Sequence, residues 1–199
     1  MAGALNPLIG WAMTEGRSLR TSVFIATSLD GFIARENGDI DWLSVADEGK
    51  PDPAEDYGYS AFFETVDALV MGRGTFEKVQ TFGEWPYGSK PVVVLSSRQL
   101  VIPEHLSATV RATTSTPVDV ARQLAVDGRR HAYIDGGQTI QSFLAAGLLD
   151  RLIITRIPVL LGSGRPLFGP LATDVRLRHV RTEDYANGLV QSEYEVAGR

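Results

Sequence analysis

The stretch His131-Ala-Tyr-Ile-Asp-Gly-Gly-Gln-Thr-Ile140 decides the fold. An apolar run ends in an acid, two glycines follow at once, and Ile140, Phe143, Leu144 and Leu148 then recur at helical spacing through Leu149. A continuous apolar run is the mark of a strand covered on both faces, and a period between three and four is the mark of a helix. The stretch therefore predicts a buried strand over 131–135, a tight turn, and a helix from Thr139. The same pattern, a strand running straight into small or hydroxyl residues, recurs at Val70-Met-Gly-Arg-Gly-Thr75 and at Val94-Leu-Ser-Ser-Arg98.

Working outward, Ser22 to Ser28 is a β-branched run closed by Asp30-Gly31, a turn signal, before the short apolar run Phe32-Ile-Ala34. Arg35 to Tyr59 is polar and acidic with two prolines and reads as a long loop. Phe62, Phe63 and Val66 make a short helical stripe before a strand at Ala68 to Met71 and a helix from Thr75. Pro91 to Leu95 and Ala108 to Ala112 read as strands, and Pro117 opens a helix striped by Val120, Ala121, Leu124 and Ala125. Arg151 to Val159, Val175 to Thr182 and Leu189 to Val196 are further strands, the last two joined by an Asn187-Gly188 turn that makes them antiparallel. Strands alternating with helices predict an α/β fold of three layers. Its central sheet is mainly parallel, with antiparallel C-terminal strands.

At 199 residues and net charge −5 the chain suits one domain and offers no basic face for nucleic acid or an anionic membrane. It has no cysteine, so disulfides, thiolate metal sites and a cysteine nucleophile are excluded. His105, His131 and His179 lack ligand-like spacing, so no metal site is expected. Residues 1–19 carry an apolar patch without the charged n-region of a signal peptide. They read as a loosely ordered extension, with Met13 a second start, ahead of a domain over 20–199. A cytoplasmic location is the expectation.

In open α/β sheets ligands bind beyond the carboxyl ends of the strands, where glycine admits backbone to a ligand and a helix start offers N–H groups to phosphate. Gly136 and Gly137 before the helix fit that role, as do Gly72, Arg73, Gly74 and Thr75, while Ser96, Ser97 and Arg98 suit a further phosphate. Each segment alone also reads as a tight turn or a solvated surface arginine. Together at one sheet edge they favour a dinucleotide. Gly83 to Lys90 resembles a P-loop only superficially, since Ser89-Lys90 stand in the wrong order and Pro91 opens a strand. Gly162-Ser-Gly164 lacks a following helix, and no Gly-x-Ser-x-Gly occurs.

These residues resemble the dihydrofolate reductase superfamily, and most closely its branch related to the reductase domain of bacterial riboflavin biosynthesis. The likeness runs from about Thr21 to Val196. It is carried by Ile25 to Ala34, Asp41-Trp-Leu43, Val70 to Glu77, Val94 to Ser97, Asp135 to Gly137, and Leu148 to Asp150 through Leu161 to Gly164. The resemblance implies NADPH as hydride donor. Ala26 and Ile33 match positions beside the nicotinamide, Gly72 to Thr75 the phosphate-holding helix start, and Ser96 and Ser97 with Arg98 the 2′-phosphate contacts. Gly136, Gly137, Gln138 and Thr139 match the pyrophosphate turn and the helix behind it. Thr155 matches a substrate-side threonine, and relatives of this branch suggest a homodimer.

The expected function is an NADPH-dependent reductase of a pterin-like, pyrimidine-like or other small conjugated heterocycle. The alternative is a catalytically inactive module that keeps the nucleotide site. For the active-site acid the resemblance and an ungapped count give Asp56, sheltered by Trp42, Tyr59 or Phe63 and raised in pKa, with Asp47, Glu48 and Glu55 as rivals. The acidic loop speaks mildly against a phosphorylated substrate. Gly137 is expected to need φ > 0 and to leave no room for a side chain.

Overall fold

The computed structural model describes residues 19–49, 52 and 54–197. Leu19 is buried in the core, so the expected boundary at 20 lies at least one residue too late, and the rest of the expected extension falls outside the described residues. Ten strands are described: β1 (Arg20–Ser28), β2 (Phe32–Ala34), β3 (Ala68–Gly72), β4 (Val92–Leu95), β5 (Val110–Thr113), β6 (His131–Asp135), β7 (Arg151–Ile157), β8 (Arg165–Pro166), β9 (Leu177–Asp184) and β10 (Val190–Val196). The α-helices are α1 (Tyr59–Thr65), α2 (Arg73–Val79), α3 (Pro117–Val126) and α4 (Gly137–Ala145).

Eight strands form one sheet in the order β5-β4-β3-β6-β1-β7-β10-β9. The pairings from β5 through β7 are parallel, and β10 and β9 join antiparallel. Alternation along the strands sorts the side chains into two cores. Val23, Val70, Val93 and Ile134 pack with Val120 and Leu124 of α3 and with Ile140, Phe143 and Leu144 of α4. Leu69, Met71, Val92, Val94 and Tyr133 pack on the other face with Phe62 of α1 and with Phe76 and Val79 of α2. Burying a side chain such as Phe143 contributes roughly 1.5–3 kcal/mol, so each helix is anchored by its stripe more than by its length.

The local differences from the expected elements have local causes. α2 begins at Arg73, two residues early. α4 also begins early, at Gly137, and stops at Ala145 because Gly147 takes φ +64° and reverses the chain, so Leu148 and Leu149 reach the core from beyond the helix. The third strand of the parallel half lies at 110–113 instead of 108–112. Within the expected loop, Asp41–Asp47 forms 3-10 turns around buried Trp42. After the Asp30-Gly31 turn, β2 leaves the main sheet and pairs with β8 in a two-stranded flap. Among the described residues no helix is long and apolar enough to cross a membrane.

Candidate functional site

Strands β3 and β6 are neighbours in register, with Met71 beside Asp135, so the turns at their carboxyl ends face each other. Gly136 takes φ +85°, and a Cβ there would lie 2.1 Å from Thr75 Oγ1; a Cβ on Gly72 would lie 3.0 Å from Thr139 Oγ1. Each turn thus uses a glycine to accept a threonine of the other. No side chain caps the start of α4, so its first N–H groups remain available to a ligand. Gly137 does not carry the positive φ expected of it; its Cα faces the flap, with a Cβ there 2.8 Å from Ile33 Cδ1 and 3.3 Å from the Pro166 carbonyl oxygen.

A cleft of about 1140 Å³ opens over these turns. Ala26, Ile33, Gly72, Arg73, Gly74, Thr75, Ser96, Ser97, Arg98, Gly136, Gly137, Gln138 and Thr139 all line it. Within it the Arg73 Nε donates to Glu77 Oε1 at 2.6 Å, and Ser96 donates its hydroxyl to the Arg98 carbonyl at 2.7 Å. Lys78 reaches across to Asp39 at 3.1 Å, and Arg165 Nε donates to the Glu36 carbonyl at 3.3 Å, fastening the segment after β2 beside the cleft.

The acid expected in the substrate site lies elsewhere. Asp56 accepts from the Ser60 N–H at 2.8 Å and from the Gly58 N–H at 3.0 Å, which caps α1. Hydrogen bonds from Ser60 hold its pKa below the ordinary carboxylate value, the opposite of the expected rise, and it does not line the cleft. The substrate-side residues also shift. Trp42 is buried with Ile157 and Leu189, and its 3-10 neighbour Leu43 lines the cleft instead. Thr155 is buried, accepting from Gln191 Nε2 at 2.9 Å. Tyr59 and Phe63 stack on each other, their centroids 5.7 Å apart, as an outer layer against Phe24 and Tyr87.

Two carboxyls line the cleft: Glu77, which accepts from Arg73, and Asp135, at the end of β6. Burial pushes its pKa up to about 6, against the pull of the Gly136 N–H and of tyrosine hydroxyls. Tyr87 reaches the carboxyl as a donor. The Tyr133 hydroxyl also reaches it, and donates to the Phe24 carbonyl at 2.8 Å. Burial raises Tyr87 and Tyr133 out of the titrating range and Tyr59 to about 12, so all three stay neutral. The period of two puts Asp135 on the Tyr133 face of β6, a signal present in the sequence. Its partner Tyr87 lies in the Gly83 to Lys90 stretch, whose pattern resembles a P-loop only superficially.

The RibD C-terminal domain profile matches residues 21–191. The chain belongs to the RibD C-terminal domain family. It is 36% identical over 176 residues to the uncharacterised protein YwjB of Bacillus subtilis, a match spanning 85% of this chain and 94% of that one. A crystal structure from Shewanella sp. PV-4, of a protein provisionally assigned to riboflavin biosynthesis, shares 41% identity and a TM-score of 0.83 over 90% of this chain and 100% of its own. The riboflavin biosynthesis protein RibD of Corynebacterium ammoniagenes is 26% identical over 81% of this chain, which spans 50% of that longer protein. The RibD C-terminal domain has the dihydrofolate-reductase-like fold, and its family is typically one of NADPH-dependent pyrimidine reductases. In this RibD C-terminal domain the uncapped start of α4 and the Ser96–Arg98 turn line one cleft, an arrangement that fits a dinucleotide.

Proposed function

We propose that this chain is an NADPH-dependent reductase of a small conjugated heterocycle, with Asp135 as the proton donor. The observation that carries the reading is a single cleft with a phosphate-type cradle at one end and a carboxyl of raised pKa facing it. NADPH, when bound, supplies the hydride. Gly136, Gly137, Gln138 and Thr139 hold the pyrophosphate through their backbone at the start of α4. Ser96, Ser97, Arg98 and Arg73 receive the 2′-phosphate, and Ala26 and Ile33 wall the nicotinamide. Leu43, Ile40 and the segment fastened by Lys78 exclude water. Asp135 delivers a proton to the oxygen or nitrogen beside the reduced carbon, and a pKa near the working pH is what a general acid needs.

The test is NADPH oxidation, followed by its absorbance, against a panel of pterins and pyrimidines with wild type and Asp135→Asn. Turnover with wild type and a collapse of rate in the variant support the reading. Tight NADPH binding without turnover of any ring would leave the binding-module alternative.

A further inference from the structure

Granting the reductase reading, three of the cations that line the cleft are already engaged, Arg73 by Glu77, Lys78 by Asp39 and Arg165 by the Glu36 carbonyl. Arg73 and Arg98 stand just past the carboxyl ends of β3 and β4, and Lys78 and Arg165 are tied to the segment after β2. Around Asp135 the wall is Phe24, Tyr87 and Tyr133, with Tyr59 packed edge-on against Phe24 behind them. The groups that set the ionisation of Asp135 are burial, the Gly136 N–H and the two tyrosine hydroxyls, with no lysine or arginine among them. The charged or ionisable neighbours acting on Tyr87 and Tyr133 are likewise Asp135 and other tyrosines. Lys90, on the same side of the sheet, donates to the Val66 carbonyl and lies 4.8 Å above the Phe63 ring centroid, outside the residues that line the cleft. A phosphate or carboxylate brought to this wall would meet a carboxyl and, among the described residues that act on it, no compensating cation. Like-charge contacts of this kind reject wrong partners effectively.

We propose that the ring reduced here is uncharged: a planar conjugated carbonyl or imine compound without phosphate or carboxylate, packed on Phe24, Tyr87 and Tyr133 and hydrogen-bonded by Asp135. In the balanced step the C=O or C=N π bond breaks, its carbon takes the hydride and its heteroatom takes the Asp135 proton. The dinucleotide is left oxidised, and Asp135 is reprotonated from solvent. The aromatic wall supplies face and edge contacts to the ring.

The full chain loaded with NADP⁺ is titrated calorimetrically at pH 8, where Asp135 is ionised, with two matched pairs, uridine against uridine 5′-phosphate and pterin against pterin-6-carboxylate. The neutral member of each pair should bind about tenfold more tightly or better. That preference should shrink several-fold in Asp135→Asn, checked for native fold by circular dichroism, because the carboxylate charge is gone. Equal or tighter binding of the charged members overturns the proposal. The dinucleotide titration that precedes each run separates the two ideas. Failure to bind NADP⁺ counts against the reductase reading, whereas normal NADP⁺ binding with a preference for charged rings counts against the substrate class alone.

Discussion

A Cβ on Gly136 would stand 2.1 Å from Oγ1 of Thr75, so the turn after β6 and the first turn of α2 meet with no room for a methyl group. The φ of +85° at Gly136 adds a backbone strain of roughly 1–2 kcal/mol for any other residue. Gly136→Ala should therefore lower the melting temperature and abolish NADPH binding. In the Gly136→Ala/Thr75→Ala double variant part of the melting temperature should return, because the clash is relieved and the φ strain is not. A native melting temperature and normal affinity in the single variant would show that the two turns are not in tight contact.

Asp135 ties activity to pH in a defined direction. The acid must be protonated to act, and its folded pKa is about 6, so kcat/KM should be high below that value and fall as pH rises through it. Loss of a positioned acid typically costs ~10²–10⁴-fold in rate. Asp135→Asn should show that loss and a flat profile on the alkaline side. A profile with no break near 6 in wild type would remove Asp135 from the proton-transfer role.

The same residue lowers stability at neutral pH. Its folded pKa lies above the unfolded value of 3.8, so the folded state holds the proton more tightly, and the stability this gives is full below 3.8 and is lost as pH rises from there to about 6. Asp135→Asn should accordingly raise the melting temperature by a few degrees at pH 8 relative to its effect below the unfolded pKa of 3.8. A variant less stable at both pH values would mark Asp135 as a structural carboxylate.

His131 shows the opposite kind of linkage. It is buried, with Nε2 2.7 Å from the Ser22 hydroxyl and Nδ1 3.0 Å from the Thr65 carbonyl, so Nδ1 donates and Nε2 accepts in the neutral ring. Burial lowers its pKa below 6.5, so the unfolded state binds the proton first, and stability falls as pH drops below about 6.5. Denaturant midpoints measured from pH 7.5 to 5 should decline in wild type and change less in His131→Gln. An identical decline in both would place the acid sensitivity elsewhere.

Asp56 is predicted to matter for folding and not for chemistry. Removing a capping side chain costs about 0.5–2 kcal/mol, so Asp56→Ala should melt earlier with kcat unchanged. A selective loss of kcat at native stability would return Asp56 to the proton-donor role.

Much of the fold was legible because its signals are local. Strand β6 runs from His131 to Asp135 as its apolar run predicts, and the Pro117 helix and the Asn187-Gly188 hairpin follow from turn and capping chemistry. The cradle residues were legible for the same reason, since each is a short segment at the end of a strand. The substrate end was not. An ungapped count through residues 35–59 led to Asp56, but that stretch contains 3-10 turns and a left-handed Tyr57, and its chain path is not extended. Asp135 reads in sequence as a turn residue before two glycines. Only the fold brings Phe24 from β1 and Tyr87 from the segment before β4 to its side, and those separations leave no periodic trace.

The central claim is that the cleft over β3, β4 and β6 is an NADPH site, and paired calorimetric titrations of NADPH and NADH test it most directly. Ser96, Ser97, Arg98 and Arg73 line the cleft where a 2′-phosphate can use them. Charge-assisted hydrogen bonds are worth ~1.5–3 kcal/mol each, so NADPH should bind roughly tenfold more tightly than NADH or better. The margin should be lost in Ser96→Ala/Arg98→Ala. Equal affinities for the two dinucleotides, or binding of neither, would contradict the account.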